Sequence, residues 1–152
     1  MNKAVSENDW ETQGSHSKWI VVDDNRGILQ VISTMMELLT DAEILCFESA
    51  EDALKAFEIQ PEEVSLVITD LEMPGMNGLE LCHAIRAIRR DAKVVLMTGN
   101  HTAMDTASAR LIGFAALLYK PFLPVDLRNL LDSVGVLNGH SSNCEQSYAR
   151  PR

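Results

Sequence analysis

Three carboxylates, a hydroxyl and an ammonium stand at the ends of apolar runs in this 152-residue chain. Asp23 and Asp24 follow Trp19-Ile20-Val21-Val22, and Asp70 closes Val67-Ile68-Thr69. Thr98 follows Val94-Val95-Leu96-Met97, and Lys120 follows the run from Ala115 to Tyr119. Short, continuous apolar runs of this kind read as strands of a parallel sheet covered on both faces. Such strands point their carboxyl ends to one edge, where open α/β sheets bind ligands. The five groups would meet there in one cleft. Three close carboxylates repel, so one keeps its proton unless a cation lies among them. Magnesium, a hard ion that takes carboxylate, carbonyl and water oxygens, suits that place. A metal, a lysine and a hydroxyl beside a carboxylate also suit phosphoryl transfer. The positive groups offset charge on the equatorial oxygens while Asp70 attacks as nucleophile.

Each group alone has a plainer reading. Asp23-Asp24 makes a turn and helix cap, Asp70 a cap or loop carboxylate, Thr98-Gly99 a strand end and Lys120 a solvated lysine. Joint placement at four strand ends is what favours a site.

The elements that must position these groups can be read from spacing. Ile28, Leu29, Ile32, Met35, Met36 and Leu39 recur with helical period. Ile44-Leu45-Cys46-Phe47 is a second strand, and Ser49 suits the N-cap of a helix burying Ala50, Ala53, Leu54 and Phe57. Val64 to Thr69 is the strand that delivers Asp70, and Pro74-Gly75 turns the chain just beyond it. Asn77 and Glu80 resemble a capping box opening a helix that carries Leu81, Ile85 and Ile88 on one apolar face. Ala103, Ala107 and Leu111 make a thinner apolar stripe and predict a fourth helix stopped by Gly113. Leu127, Leu130, Leu131 and Val134 predict a fifth, with Pro124 in its first turn. Five strands alternate with five helices, the pattern of a one-domain α/β fold over residues 18–136. Residues 1–17 and 137–152 are polar, and are expected to be a flexible arm and a flexible tail.

Composition narrows the function classes. The formal charge of −9 argues against direct binding to nucleic acid or an anionic membrane surface. No apolar run approaches the ~20 residues needed to span a bilayer, and no secretory signal opens the chain. Cys46, Cys82 and Cys144 are odd in number and without C-x-x-C spacing, so a reducing cytoplasm is expected. Cys46 and Cys82 read as buried or half-buried small hydrophobes, and Met35, Met36, Met73 and Met76 as packing. His16, His83, His101 and His140 lack metal-ligand spacing, and His101 reads as a solvated loop residue.

The runs Val21-Val22-Asp23-Asp24, Asp70-Leu71-Glu72-Met73-Pro74-Gly75-Met76-Asn77-Gly78, Thr98-Gly99 and Lys120-Pro121-Phe122 together resemble the receiver domain of two-component response regulators, over about residues 18–136. The resemblance implies a flavodoxin-like, doubly wound, three-layer α/β/α fold with strand order 2-1-3-4-5. It implies that Asp70 takes a phosphoryl group from a histidine kinase or histidine phosphotransfer protein. Asp23, Asp24, Asp70 and the Glu72 backbone carbonyl would hold Mg2+, Thr98 would bond a phosphoryl oxygen, and Lys120 would pair with it. Lys120-Pro121 would be cis. The family often places Tyr or Phe three residues before the lysine, as a switch coupled to the threonine; here that residue is Leu117. Tyr119 shares its side of the strand and reads as packing.

The expected function is a bacterial phosphoacceptor receiver, catalysing its own phosphorylation and dephosphorylation and no other turnover. With no room for an output domain after the fifth helix, it would signal through a partner protein. Two other readings stand beside it. One is a pseudo-receiver that binds partners without phosphate, which Leu117 keeps open. The other is an aspartyl-nucleophile phosphohydrolase, which Asp70-Leu71-Glu72 faintly mimics. Neither a Rossmann nor a P-loop glycine pattern follows any strand.

Overall fold

The computed structural model describes residues 17–137. Strands β1 (Lys18–Val22), β2 (Glu43–Phe47), β3 (Val64–Asp70), β4 (Val94–Thr98) and β5 (Ala116–Tyr119) pair in parallel in the order β2-β1-β3-β4-β5. Between and after them run helices α1 (Arg26–Glu37), α2 (Ala50–Ile59), α3 (Gly78–Ile88), α4 (Thr106–Ile112) and α5 (Pro124–Ser133), with a 3-10 turn at Pro61–Glu63. This is the doubly wound flavodoxin-like order, in which the connections cover both faces of the sheet.

Side-chain alternation along the strands sorts the core into two layers. Trp19, Val21, Leu66, Ile68, Val95, Met97 and Leu118 pack against Leu29, Ile32 and Met36 of α1 and Leu127 and Leu131 of α5. Ile20, Val22, Val67, Val94 and Leu96 face the other way, onto Phe57 of α2, Leu81, Cys82 and Ile85 of α3 and Ala109 of α4. β3 has apolar residues on both sides, which is why its sequence reads as a run rather than an alternation.

Helix ends sit where the cap chemistry puts them. Asn25 accepts from the Ile28 N–H, Ser49 from Asp52 and Asp105 from Ser108, while Asn77 and Glu80 exchange bonds in a capping box. Pro124 opens α5, and Gly113 ends α4 with a φ of 127°.

Three expectations fail. The stripe Ala103-Ala107-Leu111 does not face the core: Ala103 lies in a turn before α4, Ala107 is exposed, and Leu111 is 88% exposed. The helix is only seven residues long and docks through Ala109, with Met104 and Phe114 from its flanks completing the contact. Ile88, at the last turn of α3, is likewise outside the core, where Cys82 takes part instead. Cys46 is exposed because β2 is an edge strand, whereas Cys82 is buried and its thiol is pushed up to about 11 by burial. Apart from Ser17 and Leu137, the arm and tail expected at 1–17 and 137–152 lie outside the described residues. Among the described residues, no helix is long and apolar enough to cross a membrane.

Candidate functional site

Register brings the strand ends level. Val22 is the ladder partner of Thr69, Asp70 of Met97, and Thr98 of Tyr119. The residues one step beyond β1 and β5, Asp23 and Lys120, therefore reach the same edge as Asp70 and Thr98. Single carboxylate oxygens of Asp23, Asp24 and Asp70 lie within 4.8 Å of one another. Asp23 is buried, Asp70 half-buried and Asp24 exposed, so the cluster grades from the sheet outward to solvent.

Asp23 is 1% exposed, and a carboxylate so placed needs partners. Lys120 Nζ donates to its Oδ2 at 2.9 Å, and the Asn25 N–H donates to its Oδ1 at 2.9 Å. The same ammonium stands 3.3 Å from Asp70 Oδ1, an oxygen that also accepts from the Leu71 N–H at 2.9 Å. Burial, and then the Asp23 charge, push the Asp70 carboxyl above its ordinary range, and Lys120 only partly offsets them. Burial alone would pull the Lys120 ammonium down, but the bond to Asp23 and the charges of Asp70 and Asp23 outweigh it and hold it up.

Thr98 is 2% exposed at the end of β4. Its Oγ1 accepts from the Asn100 N–H at 3.1 Å, which leaves the hydroxyl proton to donate. Glu72 is exposed, two residues past Asp70 in the β3–α3 loop. The Lys120–Pro121 peptide bond is cis. Leu117 packs half-buried against the core on the α2–α4 side. Tyr119 is more than packing: its hydroxyl donates to the Met104 carbonyl at 2.8 Å, and its ring stacks on His101 with centroids 4.0 Å apart. His101 is thus exposed but not simply solvated.

The donor chemistry fits a hard divalent cation. Three carboxylate oxygens converge with a single ammonium between two of them, so the site carries more negative than positive charge. Two contacts escape a reading of the sequence. The Asn25 N–H on Asp23 follows from the turn into α1, and an exposed glutamate, Glu51, reaches the Asp70 loop from α2. No pattern in the chain marks either.

The family model of the response regulator receiver domain matches residues 19–132. The chain belongs to that family. A chemotaxis protein CheY homolog of Campylobacter jejuni is 31% identical to this receiver over 121 residues, which are 77% of this chain and 91% of the relative. Response regulator protein FleR of Pseudomonas aeruginosa is 36% identical over 118 residues, covering 78% of this receiver but only 24% of FleR. Among solved structures, a response regulator receiver domain protein from Clostridium thermocellum superposes with a TM-score of 0.71 at 28% identity, over 78% of this chain and 93% of that one. The receiver is therefore a component of two-component signalling.

Proposed function

We propose that Asp70 is the phosphoacceptor of this receiver, taking a phosphoryl group from the histidine of a histidine kinase or histidine phosphotransfer protein in a Mg2+-dependent reaction. The observation that carries the reading is the convergence on Asp70 of two further carboxylates and one ammonium at a single sheet edge. An Asp70 carboxylate oxygen attacks phosphorus, the P–N bond of the phosphohistidine breaks, and the imidazole nitrogen leaves with the bonding pair. Bound by Asp23, Asp24, Asp70 and the Glu72 carbonyl, Mg2+ would supply charge neutralisation for the phosphoryl oxygens. Lys120 already spans Asp23 and Asp70, and turns to a phosphoryl oxygen when one arrives. Thr98 donates its hydroxyl proton to another.

An apolar groove bordered by Ile28, Val31 and Met35 of α1 and by Phe122 opens beside Lys120. Val31 is 54% exposed there, and the groove supports docking of the donor protein next to the acceptor. The phosphorylated receiver then signals through a downstream protein, catalysing only its own phosphorylation and dephosphorylation.

Incubation with a small phosphodonor and Mg2+, followed by intact mass measurement, tests this. The expected result is a gain of one phosphoryl group that disappears in Asp70→Asn and without Mg2+. No gain with any donor overturns it in favour of a pseudo-receiver, and steady hydrolysis of a generic phosphate ester would instead indicate a phosphohydrolase.

A further inference from the structure

The loop between β3 and α3 carries the groups that follow Asp70, and it is pinned from inside at both ends. Leu71 and Met73 are buried in the core, and the Gly78 N–H donates to the Leu71 carbonyl at 2.9 Å. Between these anchors Glu72, Pro74 and Gly75 are exposed. There a side chain from another helix takes hold. Glu51 Oε2 accepts from the Met76 N–H at 2.9 Å, across 25 residues of sequence.

The glutamate is in the first turn of α2, where an acid ordinarily does no more than complement the helix dipole. That helix already has its cap, since Ser49 Oγ accepts from the Asp52 N–H. Gly75 makes room for the contact: its φ is 78°, and a Cβ there would stand 2.8 Å from Glu51 Oε2. The Met76 N–H, and after it the backbone N–H of Glu51 itself, hold the Glu51 carboxyl below the usual range.

We infer that Glu51 is a positioning residue for the metal loop, holding the Met76 N–H so that the segment carrying the Glu72 carbonyl is already set before Mg2+ arrives. The inference rests on the reading of Asp70 and its neighbours as a Mg2+ site. Preorganisation of this kind appears as ion affinity, because the free loop no longer has to be ordered on binding.

Two substitutions separate geometry from charge. Glu51→Gln and Glu51→Ala both remove the negative charge, but only glutamine keeps an acceptor oxygen for Met76. Mg2+ binding to the intact chain is measured by calorimetric titration, and exchange of the Met76 amide by NMR in metal-free protein. Glu51→Ala is expected to weaken Mg2+ binding about five-fold and to speed Met76 exchange by a similar factor. Glu51→Gln should retain most of both. Equal Mg2+ affinity in the parent chain and Glu51→Ala overturns the role of Glu51 and leaves the acidic site standing. Equal loss in both variants also overturns it, because charge alone would then explain the effect. Absence of Mg2+ binding in the parent chain overturns the metal reading and this inference with it, whereas Met76 exchange still reports whether the contact exists.

Discussion

Asp70 sits where ionisation is opposed by burial and by the Asp23 charge, and its folded-state carboxyl titrates above its unfolded one. The folded chain thus binds this proton more tightly than the unfolded chain does. Its contribution to stability is fully present below the ordinary carboxylate range and is lost as pH rises through the raised one. At neutral pH the ionised group is a burden on the metal-free fold. Asp70→Asn, which is neutral at every pH, is therefore expected to melt higher than the parent at pH 7 without Mg2+. The gap should close as the pH falls into the acid range. Added Mg2+ should also narrow it, by raising the parent more than the variant, which has lost one of the carboxylates. Thermal melts of both chains across pH check this, and a lower melting temperature for Asp70→Asn at pH 7 would contradict the account.

At the scale of the element, the loop from β3 into α3 packs tightly against Asp70. A Cβ on Gly78 would stand 2.3 Å from the Asp70 carbonyl oxygen, a backbone atom that cannot step aside. Gly78→Ala must push the start of α3 away from the end of β3, at a cost of about 1–3 kcal/mol. A methyl group on Gly99, at the end of β4, would have nothing within 4 Å, so Gly99→Ala should be near neutral. Denaturant unfolding of the pair checks the contrast. Glycine content alone does not distinguish these two residues; the approach of the chain does. The same holds for the elements as a whole. Strands and their terminal groups were legible because a buried parallel strand must be apolar on both faces and stop at polar residues, as Val64–Asp70 and Val94–Thr98 do. The caps at Ser49 and Asn77 were legible from residue type. The buried side of α4 was not, because a short helix held by Ala109 and two flanking residues has no stripe to read. Tyr119 and Glu51 were missed as contacts because both bond backbone groups of loops, Met104 and Met76, whose positions no side-chain pattern encodes.

At the scale of the molecule, one sheet joins two apolar layers that have no other common element. Loss of packing in either layer should be felt by the whole. Phe57 is fully buried on the α2 side, and Phe57→Ala is expected to cost about 3–5 kcal/mol. Trp19 is buried on the opposite side, under α1 and α5. Its fluorescence, followed in a Trp10→Phe background, should shift its midpoint by the same amount as the far-UV dichroism, in one transition. Separate midpoints for the two signals would show that the layers unfold independently.

The bond from Lys120 to Asp23 closes a span of 97 residues. On the ribosome, a chain that has emerged only through β4 holds its acids but not yet the lysine that spans two of them. The acidic edge therefore gains its ammonium only when β5 docks beside β4. Assembly of the charged edge is in this way tied to completion of the sheet, and a half-made chain holds its carboxylates against one another without Lys120.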